Sequence, residues 1–421
     1  FALSTSLIRP VDAGYGMTVT LADIEAARDR FDDPAIVRQT PIETSRSLSA
    51  MSGGDVHLKM EHLQRTGSFK TRGAYNKLKQ EAAAGGDKHV VAASAGNHAQ
   101  GVALAATTVG LASTIVMPEN APQAKIDATR SYGATVELHG SNFGEAMAHA
   151  KEMAEQPGML FVHAYDDPDI VAGQGTLGLE IYEQVPDVDT VIVPIGGGGL
   201  IGGISTALSA LDDSVRVIGV QAELASTVHE SLRKGVPVDE ESPKTIADGI
   251  ATGSISELTL GLIETHVDEV VTVSDDDIAR AILVVLERAK QLVEGAGAAA
   301  VAAMLSERVD VEGETVVPLL CGGNIDMSML QTVLTHALTD RNQLLHLRIR
   351  IRDQPGEMGR ISGIIGELGA NIRTVRHDRA VGDLHVGDAY LVFQVVTSGE
   401  SHAKSVMAAI EDVGYDVERV N

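Results

Sequence analysis

Val90-Val91-Ala92-Ala93-Ser94-Ala95-Gly96-Asn97-His98-Ala99-Gln100-Gly101 falls into three parts. A short apolar run suits a buried strand, a polar glycine-bearing corner follows, and an alanine-rich helix is predicted over 98–109. The same alternation continues outward. Ser113 to Met117 reads as the next strand and Ala121 to Tyr132 as a helix. Then come strand Thr135 to Leu138, helix Phe143 to Glu155, strand Leu160 to Val162 and helix Gly173 to Gln184. Thr190 to Pro194 reads as a buried strand, Leu200 to Leu211 as a helix and Val215 to Gln221 as a strand. Strands and helices in strict turn argue for an α/β fold, a parallel sheet with helices on both faces. Ligands of such sheets bind beyond the carboxyl ends of strands. Ser94 and Gly196 each follow one directly.

Two further runs join the Ser94 corner. Gly67-Ser68-Phe69-Lys70-Thr71-Arg72-Gly73-Ala74 places a lysine just ahead of a helix predicted over 74–83. The helix dipole and partial desolvation there both oppose an ammonium ion, which favours the nucleophilic amine. Pro194-Ile195-Gly196-Gly197-Gly198-Gly199-Leu200 opens a helix with four glycines, a backbone that can wrap a phosphate. A lysine that condenses with an aldehyde, a Ser/Asn loop for a carboxylate and a glycine loop for a phosphate together describe a pyridoxal 5'-phosphate site. Taken singly, Lys70 reads as a solvated charge and the glycines as a flexible turn or a dinucleotide loop. Glu223 even lies at a tolerable spacing for the latter. The lysine motif and Cys321, for which hydride transfer has no use, weigh against a dinucleotide.

With Ala172-Gly173-Gln174-Gly175-Thr176 and Cys321-Gly322-Gly323-Asn324 added, the chain resembles the fold type II (tryptophan synthase β-like) pyridoxal phosphate enzymes over about residues 20–333. Within that family it is similar to the threonine/serine dehydratase branch. The resemblance implies a two-lobed catalytic domain of parallel and mixed sheets over 17–333, with a smaller lobe inserted at about 60–160. It implies that Lys70 carries the cofactor and, once released by substrate, takes the α-proton. Ser94, Ala95, Asn97 and His98 line the substrate carboxylate loop, with Asn97 also near the cofactor's phenolic oxygen. Gly196, Gly197, Gly198, Gly199 and Leu200 cradle the phosphate, and Cys321 faces the pyridine nitrogen. A neutral thiol stabilises a pyridinium less than a carboxylate does, which suits β-elimination better than transamination. The plain alternative is a small buried Cys filling space.

The activity so implied is deamination of threonine to 2-oxobutanoate and ammonia, with serine as a second substrate. A serine dehydratase, a racemase or a β-replacement synthase of the same fold are the neighbouring readings. Racemases of the family carry a serine where this chain has Ala95, and a methyl group transfers no proton. No metal is expected. Glu223 matches a carboxylate of some relatives' cation site, but His229 stands at the second position, and His57, His62 and His163 show no ligand spacing.

From Leu344 a second module begins. Leu345, Leu347, Ile349 and Ile351 alternate with His346, Arg348, Arg350 and Arg352, a half-buried strand with one basic face. A helical stripe (Met358, Ile361, Ile364, Ile365, Leu368) follows. Strands over 371–377 and 389–397, a helix over 401–413 and a strand over 415–420 complete a ferredoxin-like βαββαβ pattern. Asp353-Gln354-Pro355-Gly356 with Gly366 to Ile372 resembles an ACT domain over 344–421, which implies an amino-acid effector with Gly356 and Asn371 as contacts. An appendage used only for oligomerisation is the alternative. Paired modules of this kind suggest a homodimer or homotetramer. A degenerate sensor, with the large domain as scaffold, is the non-enzymatic reading.

Bulk properties bound the rest. A chain of 421 residues, 44% apolar, suffices for two or three domains. A formal charge of −25 disfavours nucleic acid and anionic lipid. Lysine is scarce, 11 against 22 arginines, beside 58 acidic residues, a balance that suits either a high-salt host or an ordinary acidic cytoplasmic protein. The single Cys321 rules out an internal disulfide, and no apolar run or leader pattern calls for a membrane or export.

Overall fold

The computed structural model describes residues 18–240, 244–379, 382 and 384–420. The chain divides into two compact units, with the boundary along the sequence between Ile325 and Asp326.

The first unit holds two sheets. In the larger, the strands run in the order Ile42–Thr44, Asp55–Lys59, Thr315–Pro318, Thr190–Pro194, Arg216–Ala222, Glu269–Val273. All neighbours are parallel except the edge pair Ile42–Thr44 with Asp55–Lys59. The smaller sheet is wholly parallel, in the order Thr135–Leu138, Ser113–Met117, His89–Ala93, Met159–Phe161. The central strands Ser113–Met117 and Thr190–Pro194 are buried along their whole length, as continuous apolar runs with covered faces should be. Predicted element types hold throughout, and the boundaries move. The helix expected from Gly173 starts at Pro168, because Asp167 caps it and Pro168 supplies a preset φ at its first turn.

Two helices set the position of the lysine run. Lys70–Ala83 crosses Pro168–Gln184 at glycine against glycine: a Cβ on Gly173 would lie 2.6 Å from the Gly73 Cα, and one on Gly73 would lie 2.7 Å from the Ile170 carbonyl oxygen. Beside the crossing the Arg72 guanidinium is fully buried. Its Nε and Nη2 hold Glu61 at 2.9 and 2.8 Å, and Nη1 holds Glu180 at 2.6 Å. Lys59 Nζ reaches Glu180 at 2.6 Å. Two cations thus face two carboxylates, so no buried charge stands alone.

The second unit, described by itself, begins with helix Met327–Asp340 and is built on an antiparallel sheet ordered Asn371–Asp378, Asp388–Val396, Leu344–Arg352, Asp416–Arg419. With helices Glu357–Glu367 and Glu400–Asp412 this is the βαββαβ order expected from the sequence. Leu345, Leu347, Ile349 and Ile351 join Leu391, Phe393, Ile361 and Val406 in one core. On the other face Arg348 pairs with Glu418 at 2.6 Å and Arg350 with Asp388 at 2.8 Å, so the basic row is neutralised by neighbouring strands.

Candidate active site

A cleft of about 430 Å³ in the first unit gathers Lys70, Ser94, Ala95, Gly96, Asn97 and His98, together with Gly196 to Leu200 and Cys321. Each predicted residue of the catalytic module therefore lines one space, although 251 positions separate the first from the last.

Lys70 is the first residue of its helix, preceded by Phe69, which gives no side-chain cap. Its Nζ donates to the Ala164 carbonyl at 3.3 Å. Burial lowers its proton affinity to about 8, while Cys321 and Glu294 oppose the shift. Phe69 N–H donates to the Cys321 carbonyl at 3.2 Å and Gly323 N–H to the Gly67 carbonyl at 2.9 Å, which stitches the lysine loop to the cysteine loop. Burial, reinforced by Glu294, holds the Cys321 thiol in its protonated form, well above the usual thiol range.

The Ser94 corner is braced internally, with Ser94 Oγ accepting from Gly96 N–H at 3.0 Å. Asn97 opens the following helix, one residue ahead of the predicted start. His98 is almost fully buried and its Nε2 donates to the Val162 carbonyl at 3.0 Å. Burial and the nearby Lys70 depress its pKa to about 3, so it is neutral at physiological pH.

The glycine loop leaves strand Thr190–Pro194 and enters helix Gly199–Leu211. Gly198 takes φ +87°, a left-handed conformation that other residues rarely adopt. Gly197 has a different reason: a Cβ there would lie 2.1 Å from the Tyr165 ring. The first N–H groups of a helix have no partner within it, and here they border the cleft, where they suit an anion. An amine with lowered proton affinity, a cradle that side chains would fill and a neutral thiol fit an aldehyde-bearing heterocyclic phosphate, so the residues present are compatible with pyridoxal phosphate.

Sequence reasoning gave no role to several charged or polar lining residues, among them Glu294, Asn324, Lys125 and Asp248. Glu294 stands just ahead of helix Gly295–Leu305 without capping it through its side chain, and its Oε1 accepts from Asn97 Nδ2 at 2.6 Å. A lone carboxylate in the apolar run Val293 to Ala300 was the available signal. Asn324 was quoted only as a motif residue; its Nδ2 donates to Asn97 Oδ1 at 2.8 Å. Lys125 and Asp248 pair at 3.0 Å beside the cleft, and no pattern in the chain links them. Gly356 and Asn371 do not come together within one chain. Gly356 lies beyond the Arg352 end of strand Leu344–Arg352, while Asn371 aligns through Val396 with its Leu344 end. Among the described residues no three His, Cys, Asp or Glu side chains converge as a metal would require, and no helix is long and apolar enough to cross a membrane.

The fold and the cleft define a cofactor-dependent enzyme site, and the comparisons agree. The model of the pyridoxal-phosphate dependent enzyme family matches residues 35–322, and the chain belongs to that family. It is 44% identical to the L-threonine ammonia-lyase of Thermotoga maritima, over 95% of this chain and 99% of that protein. The processed form of threonine deaminase isoform 2 from Solanum lycopersicum superposes with a TM-score of 0.70 at 35% identity, covering 80% of this chain and 98% of that one. Maize serine racemase gives a TM-score of 0.70 at 32% identity, covering 77% and 100%.

Proposed function

We infer that this protein is a threonine ammonia-lyase, converting L-threonine to 2-oxobutanoate and ammonia and acting on L-serine to give pyruvate. The observation that carries the reading is the convergence of Lys70, the glycine loop and Cys321 on one cleft, in a chain that aligns almost end to end with an ammonia-lyase.

Pyridoxal phosphate, when bound, supplies the electron sink that lets an amino acid lose its α-proton. The chain's own groups do the rest. Lys70 would hold the cofactor aldehyde through its amine and, with substrate bound, its Nζ would accept the α-proton; its lowered proton affinity keeps part of it as free amine near neutral pH. N–H groups of Gly196 to Leu200 would hold the phosphate. Ser94, Ala95, Asn97 and His98 border the place for the substrate carboxylate, with His98 neutral so that it adds no charge. The protonated Cys321 thiol lines the same cleft and would offer the cofactor ring only a weak donor, which suits loss of a β-substituent better than full charge delocalisation into the ring.

Similarity to a serine racemase raises racemisation as a second reading. Ala95 lines the cleft where a hydroxyl would be needed to reprotonate the opposite face, and its methyl cannot do so. Residues 17–333 form the catalytic domain in this reading, and 344–421 form an ACT-type regulatory domain. Gly356 and Asn371 stand at opposite ends of its sheet, so an effector contacting both joins two copies, in a homodimer or homotetramer.

Incubation with L-threonine alone and assay for ammonia and 2-oxo acid tests the function. Release of both supports it; ammonia from neither threonine nor serine defeats it. Steady-state kinetics with and without isoleucine and valine tests the regulatory half.

A further inference from the structure

A primary amide has one carbonyl acceptor and two N–H donors. At Asn97 two of these three are already committed. Asn324 Nδ2 donates both to the Thr66 carbonyl at 2.6 Å and to Asn97 Oδ1 at 2.8 Å, which forces Asn97 to present its oxygen on that side. On the other side Asn97 Nδ2 donates to Glu294 Oε1 at 2.6 Å. One N–H remains, on a residue that lines the cleft.

The clamp is itself rigid. Glu294 is 4% exposed, its backbone N–H is held by the Gly322 carbonyl at 3.1 Å, and its carboxyl lies against Gly322, where a Cβ would come within 2.1 Å of Oε1. Asn324 Oδ1 would lie 2.3 Å from a Cβ on Gly67. Both residues sit on segments adjoining the larger sheet, whereas Asn97 follows a strand of the smaller one. The two hydrogen bonds therefore fix the amide relative to Lys70 and Cys321 as well as its rotamer.

We propose that Glu294 and Asn324 are positioning residues that lock the Asn97 amide, leaving one N–H turned into the cleft as a donor to an oxygen anion of the bound cofactor. The proposal rests on the cofactor reading above and adds the machinery that aims the donor. Glu294 touches no reacting atom in this scheme; it acts through Asn97.

A double-mutant cycle in pyridoxal phosphate affinity tests it, with the visible absorbance of the protein as readout and no dependence on turnover. Glu294→Ala and Asn97→Ala should each weaken cofactor binding about tenfold, as loss of a hydrogen bond to a charged group does. The double variant should be no weaker than the poorer single one. Glu294→Gln keeps an acceptor at the same place and should stay within about threefold of the parent. Both alanine variants should shift the pH dependence of the visible band in the same direction. Asn324→Ala gives a second cycle with Asn97→Ala should Glu294→Ala fail to fold. Multiplying effects in the double variant, an unchanged affinity and spectrum in Glu294→Ala, or a glutamine variant as weak as alanine would overturn the inference. A parent protein that takes up no pyridoxal phosphate would overturn the cofactor reading, and this inference with it.

Discussion

Lys70 owes its chemistry to where its ammonium form is least welcome. The amine begins a helix, deep in the cleft, with its proton affinity lowered to about 8 by burial. Lys70→Ala should bleach the visible band of the purified protein and abolish ammonia release from threonine; colour that survives the substitution would reassign the cofactor lysine. Glu294 shows the opposite sign. Burial, then Asp248, push its carboxyl up from 4.5 to about 7, so the folded chain holds an extra proton between those values and its contribution to stability falls as pH rises through them. Glu294→Gln stays neutral at every pH. The stability of the variant relative to the parent should therefore grow from about pH 4.5 to 7, read by urea unfolding; a difference independent of pH would refute the shift. The two residues also mark what sequence can convey. Lys70 stood in a run with few other charges and near a predicted helix start, a local signature. Glu294 gained its role from partners 197 and 30 positions away, which no spacing rule encodes.

At the scale of elements, the lysine helix is placed by backbone rather than by side chains. With Gly73 stacked on Gly173, one methyl has nowhere to go. Gly173→Ala should cost about 1–3 kcal/mol, as overpacking does, and should weaken cofactor binding because the helix carrying Lys70 must move. Thermal unfolding together with visible absorbance would register both, and loss of stability with unchanged colour would show that the crossing does not aim the lysine. Arg72, two residues beyond Lys70, anchors the same helix. Arg72→Met should destabilise by about 3–5 kcal/mol in urea, since Glu61 and Glu180 would then share Lys59 alone. The alternation of strands and helices was legible because fully buried strands are continuous apolar runs and their helices are alanine-rich. Sheet order was not legible. Thr315–Pro318 inserts between Asp55–Lys59 and Thr190–Pro194, a long-range pairing with no local trace in the chain. Gly73 and Gly173 looked like parts of ligand motifs, yet their contacts are those of a helix crossing.

Over the whole molecule the net charge of −25 sets the response to salt. Surface charges separated by more than about 3 Å are screened at 1 M ionic strength, which relieves self-repulsion of the compact state. The thermal midpoint should rise with potassium chloride, and activity should persist at molar concentrations if the composition reflects a high-salt host; inactivation there would favour an ordinary acidic enzyme. The second unit carries a separate consequence. Strand Leu344–Arg352 spans nine residues, about 27 Å between its ends at the usual rise, and Gly356 and Asn371 belong to opposite ends. A free amino acid is far shorter than that gap. Under the regulatory reading proposed above, a metabolite contacting both positions would bridge two copies of the chain, so its influence should fade on dilution even while turnover itself continues.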